Sequence, residues 1–102
     1  MTQEDLKKIR DFYKVSKKEI SIILGLGENT WRNYEKDIAL FENMSRSNSY
    51  LIECIRDPRI FLNILWDNKS LKEKLGLGRF YDIRNFIGGK EEMFKAELKH
   101  LE

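Results

Sequence analysis

Glu28, Asn29, Thr30, Arg32 and Asn33 bring a carboxylate, two carboxamides, a hydroxyl and a guanidinium into one short stretch of chain. These groups suit recognition by hydrogen bonding better than catalysis. A carboxamide bonds adenine through two atoms, a guanidinium does the same with guanine, and a carboxylate accepts from the cytosine amino group. Lysines stand on either side, Lys14, Lys17 and Lys18 before the stretch and Lys36 after it, where cations would hold phosphates without reading sequence. The expectation is a surface for duplex DNA: Glu28, Asn29, Thr30, Arg32 and Asn33 at base edges, and Lys14, Lys17, Lys18 and Lys36 on the backbone. A solvated helix face is the bland alternative for the lysines, and only the elements that carry them decide between the two.

Those elements are legible. Ser16 followed by Glu19 is a capping box, in which each side chain satisfies an unpaired backbone N–H, so a helix starts near Lys17. Ile20, Ile23 and Leu24 give that helix one apolar face, Gly25 stands where the chain leaves it left-handed, and Leu26 pins the turn to the core. The following helix buries Trp31 and Tyr34 and turns Glu28, Asn29, Thr30, Arg32, Asn33 and Lys36 outward. Two helices joined by a glycine turn, the second polar on its outer side, describe a helix-turn-helix.

The stretch V-S-K-K-E-I-S-I-I-L-G-L-G-E-N-T-W-R-N-Y-E-K-D resembles the Cro and phage-repressor class of helix-turn-helix domains, the XRE family. Val15, Ser16, Ile20, Leu24, Gly25, Leu26, Thr30, Trp31, Tyr34 and Glu35 fall on the family pattern without a gap, and the likeness covers roughly the first third of the chain. It implies an all-α bundle of the phage-repressor type. It also implies that Arg10, on the first helix with Leu6 and Ile9, pairs with Glu35. Departures are Lys17 for the glutamine at the head of the second helix, Ser21 for alanine, Gly27 for a capping serine and Asp37 for the terminal glycine. The first alters a DNA contact; the others are structural.

A narrower resemblance joins N-T-W-R-N-Y-E to S-N-S-Y-L-I-E-C-I-R-D-P-R-I-F-L, from Ser47 to Leu62. Together they are similar to the DNA-binding module of antitoxins of the MqsA-like and Panacea types, which implies a cognate toxin as partner. Some members of that group carry a zinc-binding domain and others a larger toxin-neutralising domain. Neither is expected here, since one cysteine and one histidine cannot supply the usual four-ligand zinc site. Leu101 and Glu102 read like a cloning scar, which raises the expectation that the chain is a piece of a longer protein.

A chain of 102 residues is one domain's worth, able to bury about 60 to 70% of its unfolded surface without disulfides. Cys54, among Leu51, Ile52 and Ile55, reads as core filling in a reducing compartment, and cytoplasmic is the default. No apolar run reaches transmembrane length, and none resembles a signal peptide. The net charge of +2 is a weak footprint for nucleic-acid binding. Its distribution says more, because Lys7, Lys8 and Arg10 precede Lys14, Lys17 and Lys18 on successive turns.

Residues 1–66 are read as the helix-turn-helix domain and 67–102 as a C-terminal helical extension serving dimerisation or partner docking. The first helix spans about Gln3 to Lys14 with Leu6, Ile9 and Tyr13 inward. Ile38 to Ser49 is expected to be a loop or frayed helix returning Leu40, Phe41 and Met44 to the core, and Tyr50 to Ile55 a helix. Asp57-Pro58 then starts a helix with Phe61, Leu62 and Leu65 on one stripe. In the extension, Ser70 and Glu73 repeat the capping-box spacing, Gly76 and Gly78 and then Gly88-Gly89 break the chain, Phe80, Ile83 and Ile87 mark a helix, and Lys90 to Leu101 closes with Phe94, Leu98 and Leu101. The aromatics Trp66, Phe80, Tyr81 and Phe86 either pad the first domain or form a seam between two copies.

No enzyme is expected. His100 is the single histidine and lies near the end, and no cysteine, histidine or carboxylate cluster has catalytic spacing. Neither Gly-Leu-Gly is a nucleotide fingerprint, because no strand precedes it. No cofactor and no metal is called for. The reading is a repressor that binds a palindromic operator as a homodimer; the rival is a protein-interaction module that uses the C-terminal aromatic surface.

Overall fold

The computed structural model describes residues 1–89, and these form helices with no strand among them. The order is α1 (Gln3–Tyr13), α2 (Lys17–Leu24), α3 (Thr30–Lys36), α4 (Ile38–Glu42), α5 (Arg46–Cys54), α6 (Pro58–Asp67), α7 (Leu71–Leu75) and α8 (Leu77–Gly89). The predicted helix from Lys90 to Leu101, with His100, and the predicted scar at Leu101 and Glu102 lie outside the described residues.

Local chemistry sets most boundaries. The Thr2 backbone N–H donates to Asp5 Oδ2 at 2.9 Å and opens α1, and Lys14 ends it in the left-handed region at φ 53°. At α2 the expected capping box is complete: the Glu19 N–H donates to Ser16 Oγ at 3.0 Å and the Ser16 N–H to Glu19 Oε1 at 2.9 Å. Gly25, at φ 70°, lets the chain turn left-handed, and the Leu26 N–H closes back on the Ser21 carbonyl at 2.9 Å. Asp57 accepts from the Arg59 N–H at 2.9 Å with Pro58 in the first turn of α6, as its dipeptide predicts.

Other boundaries differ from the sequence reading. The stretch after α3, read as a loop or frayed helix, holds α4 and the start of α5. Asp37 accepts from the Ala39 and Leu40 N–H groups at 2.9 and 3.2 Å and starts α4. Ser45 caps α5 by accepting from the Asn48 N–H at 3.1 Å, so this helix begins at Arg46, ahead of Tyr50. Phe41 and Met44 pack on the core, but Leu40 does not return to it and stays exposed, because a helix of five residues cannot face both ways. Ser70 and Glu73 form no capping box: Ser70 has helical backbone angles, and its hydroxyl donates to Asn68 Oδ1 at 2.7 Å. Gly78 lies inside the first turn of α8 and does not break it, Gly76 at φ 88° turns the chain before it, and Gly88-Gly89 stand at the end of α8 among the described residues. Glycine costs a helix about 1 kcal/mol, a deficit outweighed by burying Phe80, Ile83 and Ile87 on one stripe.

One core gathers these helices. Leu6, Ile9 and Tyr13 meet Ile20, Ile23 and Trp31, and the same cluster includes Phe61, Leu71, Phe80 and Ile87. Residues on both sides of position 66 therefore share an interior, and the division drawn there separates no two cores among the described residues. Tyr13 is central: its ring centroid lies 4.0 Å from that of Phe61, and its hydroxyl donates to the Ile55 carbonyl at 2.5 Å. Burial, with the charge of Asp57 second, keeps this phenol protonated far above its ordinary range. No described helix is long and apolar enough to cross a membrane.

Candidate nucleic-acid interface

The candidate interface lies on α3, whose inner face anchors it. Trp31 is buried, with its backbone N–H donating to Ser21 Oγ at 3.3 Å. Ser21 thus fastens α3 to α2. The Trp31 indole N–H donates to Glu35 Oε2 at 2.6 Å. Glu35 also takes Arg10 from α1, Nε on Oε2 at 2.9 Å and Nη2 on Oε1 at 3.3 Å, with the two side chains only 15% and 10% exposed. Hydrogen bonding to Glu35, opposed by desolvation, raises the Arg10 pKa further. Tyr34 adds two ties: its carbonyl accepts from Gln3 Nε2 and its hydroxyl from Asn48 Nδ2, each at 2.9 Å. The helix is held to α1, α2 and α5 at once.

Its outer face is the opposite. Asn29, Arg32, Asn33 and Lys36 follow i, i+3, i+4, i+7 spacing, which places them on a single stripe, and all are exposed. Glu28 is exposed in the turn before it. Among the described residues the side chains of Glu28, Asn29, Arg32, Asn33 and Lys36 form no hydrogen bond or ion pair. Asn29 occupies the cap position without capping, leaving its carboxamide to solvent. Thr30 is half-buried: its Oγ1 would lie 2.9 Å from a Cβ at Gly27, so glycine at 27 makes room for it.

The lysines divide. Lys17 and Lys18 sit on the first turn of α2, Lys18 exposed and Lys17 half-buried, and neither forms an ion pair among the described residues. Lys14 is drawn toward α8, with its ammonium 6.0 Å from the Phe86 ring centroid. Lys7 and Lys8 lie 3.7 and 4.0 Å from Asp11 and Asp5, so most of their charge is balanced on α1 itself. The basic run before Lys14 therefore adds less to the surface than its sequence suggests.

Arg79 was not foreseen. From α8 its Nε and Nη2 reach the Glu19 carboxylate at 2.6 and 3.0 Å, and Nη2 also donates to the Lys14 carbonyl at 2.7 Å. Glu19, already half of the capping box, is held below its ordinary pKa, first by Arg79 and then, against desolvation, by its bonds to Ser16. No spacing rule could find a pair 60 positions apart. The Trp31 to Glu35 bond, four positions apart, did carry a helical signal.

The aromatic surface is smaller than expected. Phe80 is 1% exposed and belongs to the core, so it is removed from the candidate seam; Tyr81 and Phe86 are half-buried against the same core. Trp66 remains 55% exposed, with the Arg84 guanidinium 4.8 Å from its ring centroid.

Fold and site together define an all-helical domain that presents one tethered, outwardly polar helix beside unpaired lysines. Comparison of the chain with protein-family models, with curated proteins and with solved structures finds no match.

Proposed function

We propose that this chain is a sequence-specific DNA-binding transcriptional regulator of the helix-turn-helix, XRE-like type, acting as a repressor in the cytoplasm. The observation that carries the reading is the outer stripe of α3: Asn29, Arg32, Asn33 and Lys36 have no partner in the described chain, while the inner face is tied to α1, α2 and α5. A helix of 7 residues is about 10 Å long and enters a major groove about 12 Å wide. Asn29, Arg32 and Asn33, with Glu28 and Thr30 beside them, read base edges; Lys17, Lys18 and Lys36 hold phosphates, and Lys14 joins them if its ammonium leaves Phe86. The regulator meets a palindromic operator as a homodimer with its reading helices about 34 Å apart, and represses by excluding polymerase. An antitoxin paired with a cognate toxin is the narrower form of the same reading.

Repeated selection of bound duplexes from a random pool tests this. Enrichment of a two-fold symmetric site, bound by two chains in sedimentation, is the expected result; a pool that stays random rejects sequence reading. One observation favours the rival, a protein-interaction module using the C-terminal aromatic surface: Trp66 remains 55% exposed. A partner docked there would keep its affinity as salt rises, whereas DNA would be released steeply.

A further inference from the structure

Unpaired positive charge continues from α2 onto the C-terminal helices. A cleft of about 440 Å³ separates α2 and the turn after it from α7, with Ile22 and Leu26 in its lining and Lys18, Glu28 and Lys74 around it. Lys18 and Lys74 are exposed, and neither forms an ion pair among the described residues. Glu28 cancels one of these two charges and leaves the cleft net positive. At the head of α2, Glu19 follows directly after Lys17 and Lys18 and would repel a phosphate backbone there. Arg79 neutralises it through two N–H···O bonds of 2.6 and 3.0 Å, a forked geometry that a guanidinium makes well.

We infer that α7 and α8 complete the phosphate-facing surface: Lys74 is a further phosphate contact, and Arg79 is a positioning residue that removes the repulsion between Glu19 and DNA. This rests on the DNA-binding reading of α3. Phosphate contacts are independent of sequence, so the occupant is any duplex, and the footprint is wider than a helix-turn-helix alone would make it.

The test uses the full chain and a labelled random-sequence duplex a little over two helical turns long, titrated across a salt series. Lys74→Ala is expected to unfold at the same temperature as the parent and to flatten the slope of log K against log salt by about one. Arg79→Gln is expected to weaken binding several-fold. Adding Glu19→Gln should restore most of that affinity, because glutamine still serves the capping box while the repelling charge is gone. A residue that served stability alone would show no such rescue. An unchanged slope in Lys74→Ala, or a double variant that binds no more tightly than Arg79→Gln, overturns the inference. A parent chain that does not bind duplex overturns the DNA-binding reading and this inference with it; a parent that binds while every variant binds equally removes only the contribution of α7 and α8.

Discussion

Arg79 and Glu19, 60 positions apart, are joined by hydrogen bonds of 2.6 and 3.0 Å, and the same guanidinium donates to the Lys14 carbonyl at 2.7 Å. One side chain from α8 thereby ties down both the last turn before α2 and its capping box. The C-terminal helices belong to the architecture of the candidate DNA surface.

That pair makes stability depend on acid. Glu19 is held below its ordinary pKa, chiefly by Arg79, so its contribution is complete above the unfolded value of about 4.3 and is lost as pH falls through the lower, folded value. With the Glu19 and Arg79 side chains 21% and 38% exposed, solvent screening limits the pair to about 1 kcal/mol. Arg79→Gln is expected to unfold about 4 to 8 °C below the parent at neutral pH. The two thermal midpoints should draw together as pH falls through the lowered, folded value. A gap that persists at low pH would assign the loss to the Lys14 carbonyl bond and packing of the arginine stem rather than to Glu19.

Glu35 answers both Arg10 and the Trp31 indole, so Glu35→Ala leaves the indole N–H without its acceptor and a shielded guanidinium with only the more exposed Asp11, 3.7 Å away. Urea unfolding should show a loss of about 3 to 5 kcal/mol. Lys7→Ala, which breaks the exposed pair with Asp11, is expected to cost about 0 to 1 kcal/mol. Similar small losses in both variants would make Glu35 an ordinary surface partner.

Two kinds of DNA variant should separate. Asn33→Ala is expected to lower affinity for the selected site by about 1 to 3 kcal/mol while sparing random duplex, and Lys17→Ala to weaken both alike and reduce the salt slope by about one. Competition titrations at two salt concentrations distinguish them. Retained discrimination after Asn29, Arg32 and Asn33 are all changed to alanine would mean that α3 is not the reader.

Glycines should respond according to their backbone. Gly25→Ala forces a side chain into the left-handed region at φ 70° and is expected to cost about 1 to 2 kcal/mol. Gly78→Ala lies within α8, where an added Cβ meets open space, and should stabilise by about 0.4 to 1 kcal/mol. Thermal denaturation of the two variants reads opposite signs if α8 runs unbroken through Gly78.

Local rules reached far in the first third of the chain. Ser16, Glu19 and Gly25 set the limits of α2 through bonds spanning only a few residues, and the inner positions Trp31 and Tyr34 followed from helical spacing alone. The same rules failed where a competing local bond or distant burial intervened. Asp37 and Ser45 cap helices in a stretch read as a loop or frayed helix, Ser70 turns to Asn68 instead of capping, and burial of Phe80, Ile83 and Ile87 carries α8 through Gly78, read as a break.

Which side chains could present hydrogen-bonding groups outward was thus a property of the sequence by itself, because the period of a helix assigns inside and outside one turn at a time. Which charges stay available was decided by the tertiary structure. Lys17, Lys18 and Lys74 keep theirs unpaired among the described residues. The charge of Glu19 is neutralised by Arg79, a partner that no local spacing specifies, and Phe80 leaves the surface altogether because α8 packs against α1, α6 and α7. Pairing and burial across long sequence separations depend on how helices pack, and the packing of whole faces is settled only when all of them bury apolar surface together.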